Sequence, residues 1–241
     1  MDELTFLSAL HRPGTIVDVG AHEGLLTLPL AGLPGARVIA FEPLPEARAA
    51  LERAAAGHPG ITIRHEALGD APGTLVLSLP VLDGSPQWQW ASTAKTYAAH
   101  ASARVAIRRE TVPVATLDSL ALADITAIKI DAEGAEFAVL RGARETLARC
   151  RPLLTLELEE RHAEGCTWAV PAFLDALGYE TAFAHAGRWH PMSALHRATM
   201  QRASPDPSVF EASDPYIFNF YAWPRERGAE ARALLLAPQL P

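Results

Sequence analysis

The sequence predicts a doubly wound α/β domain, a parallel sheet with helices on both faces. Three observations predict it. Apolar runs of about five residues alternate with amphipathic stretches of ten or more, which is the rhythm of βαβ units. Of the 241 residues, 49% are hydrophobic and 20% charged, so a large core forms without a covalent or metal staple. A turn bearing Gly20 and Gly24 stands between the first apolar run and the first helical stretch. Glycines there allow sharp turning and close approach of a ligand.

Taken in order, the first strand covers 15–19 (TIVDV). A helix follows over about 24–31, with Pro29 expected to distort or end it. The second strand is 36–41, and Pro45 opens a helix to about 56, since proline is favoured in a first helical turn. Residues 61–65 form the third strand. The region 66–116 breaks the rhythm. Residues 69–73 (GDAPG) are a turn cluster. Residues 74–79 and 106–114 alternate enough to be strands, and between them 83–100 is polar and aromatic, with Trp88, Trp90 and Tyr97. Thr116 is placed to cap a short helix over 117–122. Then come a strand at 125–130, a helix at 136–149, a strand at 153–158 and a helix at 168–177 closed by Gly178. Residues 180–184 and 216–221 are the last two strands, and 187–214 between them reads as loop. Residues 225–236 read as a final helix or a frayed tail. The expected organisation is one domain over 1–241, with a middle insertion at about 70–115 and a C-terminal extension at about 225–241.

Charge and cysteine content narrow the function classes. The formal net charge is −7, and Arg108-Arg109 is the densest basic point. Duplex binding relies on phosphate neutralisation, so no nucleic-acid partner is expected. Cys150 and Cys166 fit neither a zinc spacing nor a disulfide framework. The first fourteen residues lack the long apolar run of a secretory signal, and no stretch approaches a membrane span. A cytoplasmic chain with no membrane partner is expected, and homo-oligomerisation stays open.

Three segments carry the chemistry. Asp18-Val19-Gly20-Ala21-His22-Glu23-Gly24 follows a strand and precedes a helix. Its G-x-x-x-G spacing differs from the dinucleotide fingerprint G-x-G-x-x-G. It matches better the turn that holds the amino-acid end of S-adenosylmethionine. Glu42 closes the second strand in Phe41-Glu42-Pro43, 22 positions after Gly20. A carboxylate there offers two acceptor oxygens to a ribose diol, in NAD and S-adenosylmethionine alike. Asp131 and Glu133 stand at the carboxyl end of a central strand, the edge where open α/β sheets bind ligands. Glu136 has a simpler role open to it, favouring the start of the next helix.

With these residues in hand, the chain resembles the FkbM family of S-adenosylmethionine-dependent methyltransferases. The matching pieces are VDVGAHEG, the FEP turn, EALGD followed by Gly73, VPVATLDSL, KIDAEGAEFAVLRGARETL and RPLLTLELE. They run in order from about residue 16 to residue 159. The resemblance implies a class I methyltransferase (Rossmann-like) fold with a seven-stranded sheet. It implies methyl transfer, usually to hydroxyls of sugars or other natural-product scaffolds. It places Asp18, Gly20, His22 and Gly24 along the methionine half of the cofactor. Glu42 holds the ribose, with Pro43 and Leu44 against adenine, and Glu66 and Ala67 edge the ring. Asp70 competes with Glu66 for that polar role, although a turn role for Asp70 is slightly favoured. The resemblance is poor beyond about Arg161.

Such a transfer needs an aligned acceptor and a group to take its proton. Asp131, Glu133, Glu157 and His162 are the candidates, and Glu133 with Glu157 is the preferred acidic pair at the acceptor mouth. Mg²⁺ held by carboxylates of adjacent strand ends stays open but is not expected. His185, His190 and His196 lack a zinc spacing. Trp88, Trp90, Ser92 and Thr93 are expected to bind a small-molecule acceptor, with Trp189 and His190 covering from the other side. Two other readings fit parts of the sequence. An NAD-dependent oxidoreductase shares the sheet and Glu42 but not the glycine spacing. A non-catalytic binding module has little reason to keep Gly20, Glu42 and Asp131 together.

Overall fold

The structure, a computed structural model, describes residues 2–82, 85–86, 105–203 and 214–236. The first part of the chain forms α1 (Glu3–Ala9), β1 (Gly14–Val19), α2 (Thr27–Ala31), β2 (Ala36–Phe41), α3 (Pro45–Ala54) and β3 (Ile61–Arg64). The middle forms β4 (Ala67–Leu68), β5 (Gly73–Leu82), β6 (Ser85–Pro86), β7 (Val105–Ala115), β8 (Ile125–Ile130), α4 (Glu136–Arg141), α5 (Arg144–Cys150) and β9 (Leu153–Glu157). The last part forms α6 (Cys166–Ala176), β10 (Tyr179–His185), β11 (Arg188–Pro191), α7 (Arg197–Met200), β12 (Asn219–Pro224) and α8 (Gly228–Leu236).

Eight strands make the main sheet, in the order β11-β10-β12-β9-β8-β1-β2-β3. The five from β9 to β3 are parallel, whereas β12 is antiparallel to both β9 and β10. The expected seventh strand is thus joined by an eighth, β11, in a stretch read as loop. His185 pairs with Arg188 across Ala186-Gly187, whose φ values are 49° and 72°. Two positive φ values make the mirror-image turn that suits a twisted hairpin. Four other strands form a second sheet, β4-β7-β5-β6, built on the long β5–β7 antiparallel pair.

From β1 the chain builds outward through β2 and β3, then returns to the other side of β1 as β8. The loops after β1 and β8 therefore diverge and leave a crevice at the carboxyl ends of the strands. Both sheet faces are covered. Ile16, Ala127 and Leu153 pack with Phe6, Leu7 and Leu30 on one face. Their neighbours Val17, Ile128 and Leu154 pack with Val139, Leu147, Val170 and Leu174 on the other. This alternation is the strand period of two, and burial on both faces explains the continuous apolar runs.

Local departures from the sequence reading have local causes. The helix expected over 136–149 breaks into α4 and α5 at Gly142. A Cβ there would lie 1.9 Å from the Gly69 carbonyl oxygen, so two backbones touch where a continuous helix would carry a side chain. The helix expected from 24 begins only at Thr27, which puts Pro29 in its first turn, where a missing N–H costs nothing. The last strand is displaced by three residues to Asn219–Pro224, because Ile217 instead donates its N–H to Met200 (2.9 Å). Thr116 does receive the Ser119 N–H, at 3.2 Å, ahead of a single 3₁₀ turn over Asp118–Leu120.

Candidate active site

A cavity of about 570 Å³ opens at the crevice, within the range of small-molecule sites. Its walls come from five places in the chain. The turn after β1 supplies Gly20, Ala21 and His22, and the end of β2 supplies Phe41 to Leu44. Ala67, Leu68, Leu75 and Leu77 form an apolar side. Lys129, Asp131, Ala132, Glu133 and Ala135 come from β8 and its loop, and Asp2, Glu3 and Leu4 from the start of α1.

Gly20 has φ +71°, and a Cβ on it would lie 1.9 Å from the Asp131 carbonyl oxygen. The glycine is required because the β8 backbone crosses there, so it serves the strand junction as well as any ligand. His22 has φ +52°, a left-handed value uncommon outside glycine. Its N–H donates to Glu42 Oε2 at 2.8 Å, while the Leu44 N–H donates to Glu42 Oε1 at 2.9 Å. Glu42 is only 4% exposed. Burial pushes its carboxyl up, against the two backbone N–H groups. Each oxygen still has a second lone pair to offer a ligand hydroxyl.

Lys129 was not singled out from the sequence, yet it lies at the centre of the site. Its Nζ donates to the Gly20 carbonyl at 2.7 Å and lies 3.4 Å from Asp18 Oδ1 and 3.7 Å from Asp131 Oδ2. Burial opposes its charge, but Asp18, Asp131 and Glu3 outweigh burial and hold the amine firmly protonated. It clamps β1 to β8 beneath the cavity. A lysine inside an apolar strand was the available signal, since buried charges must be paired.

The loop after β8 is pinned by Glu136, whose Oε1 accepts the N–H groups of Ala132 and Gly134, each at 3.0 Å. Burial raises this carboxyl to about 7. The pinned turn holds Glu133 at φ +50°. Glu133 Oε2 lies 3.4 Å from His162 Nδ1, and the same nitrogen lies 3.4 Å from Glu159 Oε1. Burial works against charge on Glu159, but Arg161, Tyr216 and His162 prevail and hold its carboxyl below the usual value. Glu157 shows the reverse. Burial, with repulsion from Asp131, Glu159 and Glu133, pushes it up to about 9.

The methyltransferase FkbM domain profile matches residues 18–190. The chain belongs to the FkbM family. An FkbM methyltransferase from Methylobacillus flagellatus KT is 18% identical, with a TM-score of 0.55, over 90% of this chain and 46% of that one. This FkbM chain therefore spans less than half the length of that structure. An rRNA methylase from Streptococcus thermophilus matches at 12% identity and a TM-score of 0.48, over 92% of this chain and 93% of that one. A Streptococcus mutans protein solved in complex with SAH matches at 12% identity and 0.47, over 91% and 94%. No curated protein matches. The first of these likenesses shows the class I methyltransferase fold.

Within the FkbM chain, the residues expected from sequence take different places. Gly20, His22, Glu42, Pro43, Leu44, Ala67, Asp131 and Glu133 line the cavity. Asp18, Gly24 and Glu66 do not. Asp18 is fully buried and accepts the Thr27 hydroxyl at 2.6 Å, tying β1 to α2. Gly24 lets the turn press on Leu51, where a Cβ would meet Cδ1 at 2.6 Å. Glu66 is drawn away by Arg64, and Asp70 pairs with Arg141 at 2.5 Å. Glu157 and His162 do not line the cavity, although His162 Nδ1 lies 3.4 Å from Glu133 Oε2 and Glu157 is repelled by Asp131 and Glu133. Trp189 does not cover the site: it packs against Tyr221 with ring centroids 4.6 Å apart, and His190 stacks on Phe183 at 5.2 Å. Trp88, Trp90, Ser92 and Thr93, with the segment 83–100 as a whole apart from Ser85 and Pro86, lie outside the described residues. Among the described residues no three potential ligands converge as a metal site. No described helix is long and apolar enough to cross a membrane.

Proposed function

We propose that the cavity takes S-adenosylmethionine and that the chain transfers its methyl group to a hydroxyl oxygen of a small-molecule acceptor, a sugar or natural-product scaffold. One observation carries the reading: the charge on the cavity wall. Glu3, Glu42, Asp131 and Glu133 line it, and Lys129, the one lysine or arginine there among the described residues, is already held by Asp18 and Asp131. Such a wall attracts a sulfonium cation and repels the pyrophosphate of a dinucleotide, which weighs against the NAD reading. Glu42 would hold the ribose diol. Pro43, Leu44, Leu75 and Leu77 would flank adenine, and the Gly20–His22 backbone the methionine end. The bound cofactor supplies an activated methyl group.

The protein must then align the acceptor and accept its proton. Glu133 reaches the cavity and is backed by His162, whose Nδ1 lies 3.4 Å from both Glu133 and Glu159. Proton acceptance is assigned to Glu133. Glu157, pushed up to about 9 chiefly by burial, is less suited than Glu133 to accept a proton at neutral pH. Trp88, Trp90, Ser92 and Thr93 remain the acceptor-side proposal. The test is transfer of labelled methyl from S-adenosylmethionine to a panel of hydroxylated acceptors. Glu133→Gln should keep cofactor affinity and lose about 10²–10⁴-fold in rate. Wild-type turnover in that variant would remove Glu133 as base.

A further inference from the structure

The FkbM match begins at residue 18, so it does not cover α1. Yet α1 puts Glu3 on the wall of the cavity. The helix is firmly seated. Phe6 and Leu7 are 1% exposed, and Phe6 packs edge-on against Tyr221 with ring centroids 5.1 Å apart and against Trp189 at 5.6 Å. Asp2 caps the helix by accepting the Thr5 N–H at 2.7 Å, which fixes the first turn that carries Glu3. Glu3 then faces Lys129, Asp131 and Asp18. Asp18 and Asp131 lie within 3.7 Å of a single ammonium group, Glu3 adds a third acidic charge near it, and that ammonium is already engaged with the Gly20 carbonyl. The surplus negative charge lies beside the turn assigned above to the methionine end.

We propose that Glu3 of α1 recognises the α-ammonium group of the cofactor's amino-acid end, making α1 part of the cofactor site. The inference rests on the S-adenosylmethionine reading above. A carboxylate suits this task because a charge-assisted hydrogen bond is stronger and more directional than a neutral one. Burial raises the Glu3 carboxyl, and Asp131 and Asp18 add to the rise against Lys129. A ligand ammonium seated there relieves that repulsion.

The test is calorimetric titration of wild type and Glu3→Gln with three ligands. S-adenosylmethionine and S-adenosylhomocysteine both carry the ammonium, while 5′-methylthioadenosine lacks the whole amino-acid end. The expected result is a roughly 10- to 100-fold weakening for the first two in Glu3→Gln, with methylthioadenosine affinity unchanged. Retained methylthioadenosine binding also shows that the variant folds. Unchanged S-adenosylmethionine affinity in the variant overturns the proposal. So does equal weakening of all three ligands, which would make α1 a general support. Selective weakening of S-adenosylmethionine over S-adenosylhomocysteine also overturns it, because the group recognised would be the sulfonium. If wild type binds none of the three, the cofactor reading itself fails and Glu3 is not at issue.

Discussion

Glu42 and Glu133 share one cavity but are held in opposite ways. Glu42 receives two backbone N–H groups and sits in an ordinary conformation at a strand end. Its place on the cavity wall is legible from position, because the end of the second strand opens at the crevice. Replacing it with alanine should weaken S-adenosylmethionine binding by roughly 1.5–3 kcal/mol, measured by calorimetry, the usual loss for a charged hydrogen-bond partner. Glu133 sits instead in a left-handed backbone, which disfavours any residue with a Cβ by about 1–2 kcal/mol. Glu133→Gly should therefore leave the unfolding free energy within about 1 kcal/mol of wild type or raise it, while methyl transfer is lost. A large loss of stability in that variant would mean the side chain holds the loop. Glu66 follows a strand at the expected place, but it pairs with Arg64 two residues earlier and does not line the cavity.

At the scale of elements, the strands β1, β2 and β8 were legible because each is a short, mostly apolar run rich in Ile and Val. α1 and β11 were not read, although both left signals. Asp2 before Phe6, Leu7 and Leu10 is a capped, one-sided helix, and Ala186-Gly187 between alternating residues is a hairpin turn. Short elements give few repeats of a pattern, so periodicity alone passes over them. The break between α4 and α5 could not be read at all, because it depends on where Gly69 arrives from a distant turn. That contact makes a sharp prediction. Gly142→Ala places a methyl against the Gly69 carbonyl and should destabilise the fold by about 1–3 kcal/mol in denaturant unfolding, the usual cost of overpacking. In an isolated helix the same change would stabilise, so the sign separates packing from propensity.

For the whole molecule, the concentration of acids at one sheet edge sets the response to pH. Glu136 and Glu157 rise from the ordinary 4.5 to about 7 and about 9, both chiefly through burial. The unfolded chain loses these protons near 4.5, while the folded chain keeps them longer. Their contribution to stability is therefore full below about 4.5 and is lost as pH rises through about 7 and then about 9. Glu226 runs the other way. Arg151 lowers it to about 2, so its contribution is present above 4.5 and lost as pH falls towards 2. Thermal unfolding should show the midpoint falling between pH 6 and pH 9, and a flat profile there would contradict the buried-acid account. Other acids, Glu3, Glu42, Asp131 and Glu133, line the cavity, and its fitness for a cation is the central claim. Its most direct test is isothermal titration of S-adenosylmethionine, with NAD titrated in parallel, into wild type and Glu42→Ala. The account predicts saturable S-adenosylmethionine binding that the variant weakens about 10- to 100-fold, and no binding of NAD. Binding of NAD with no response to S-adenosylmethionine would contradict it.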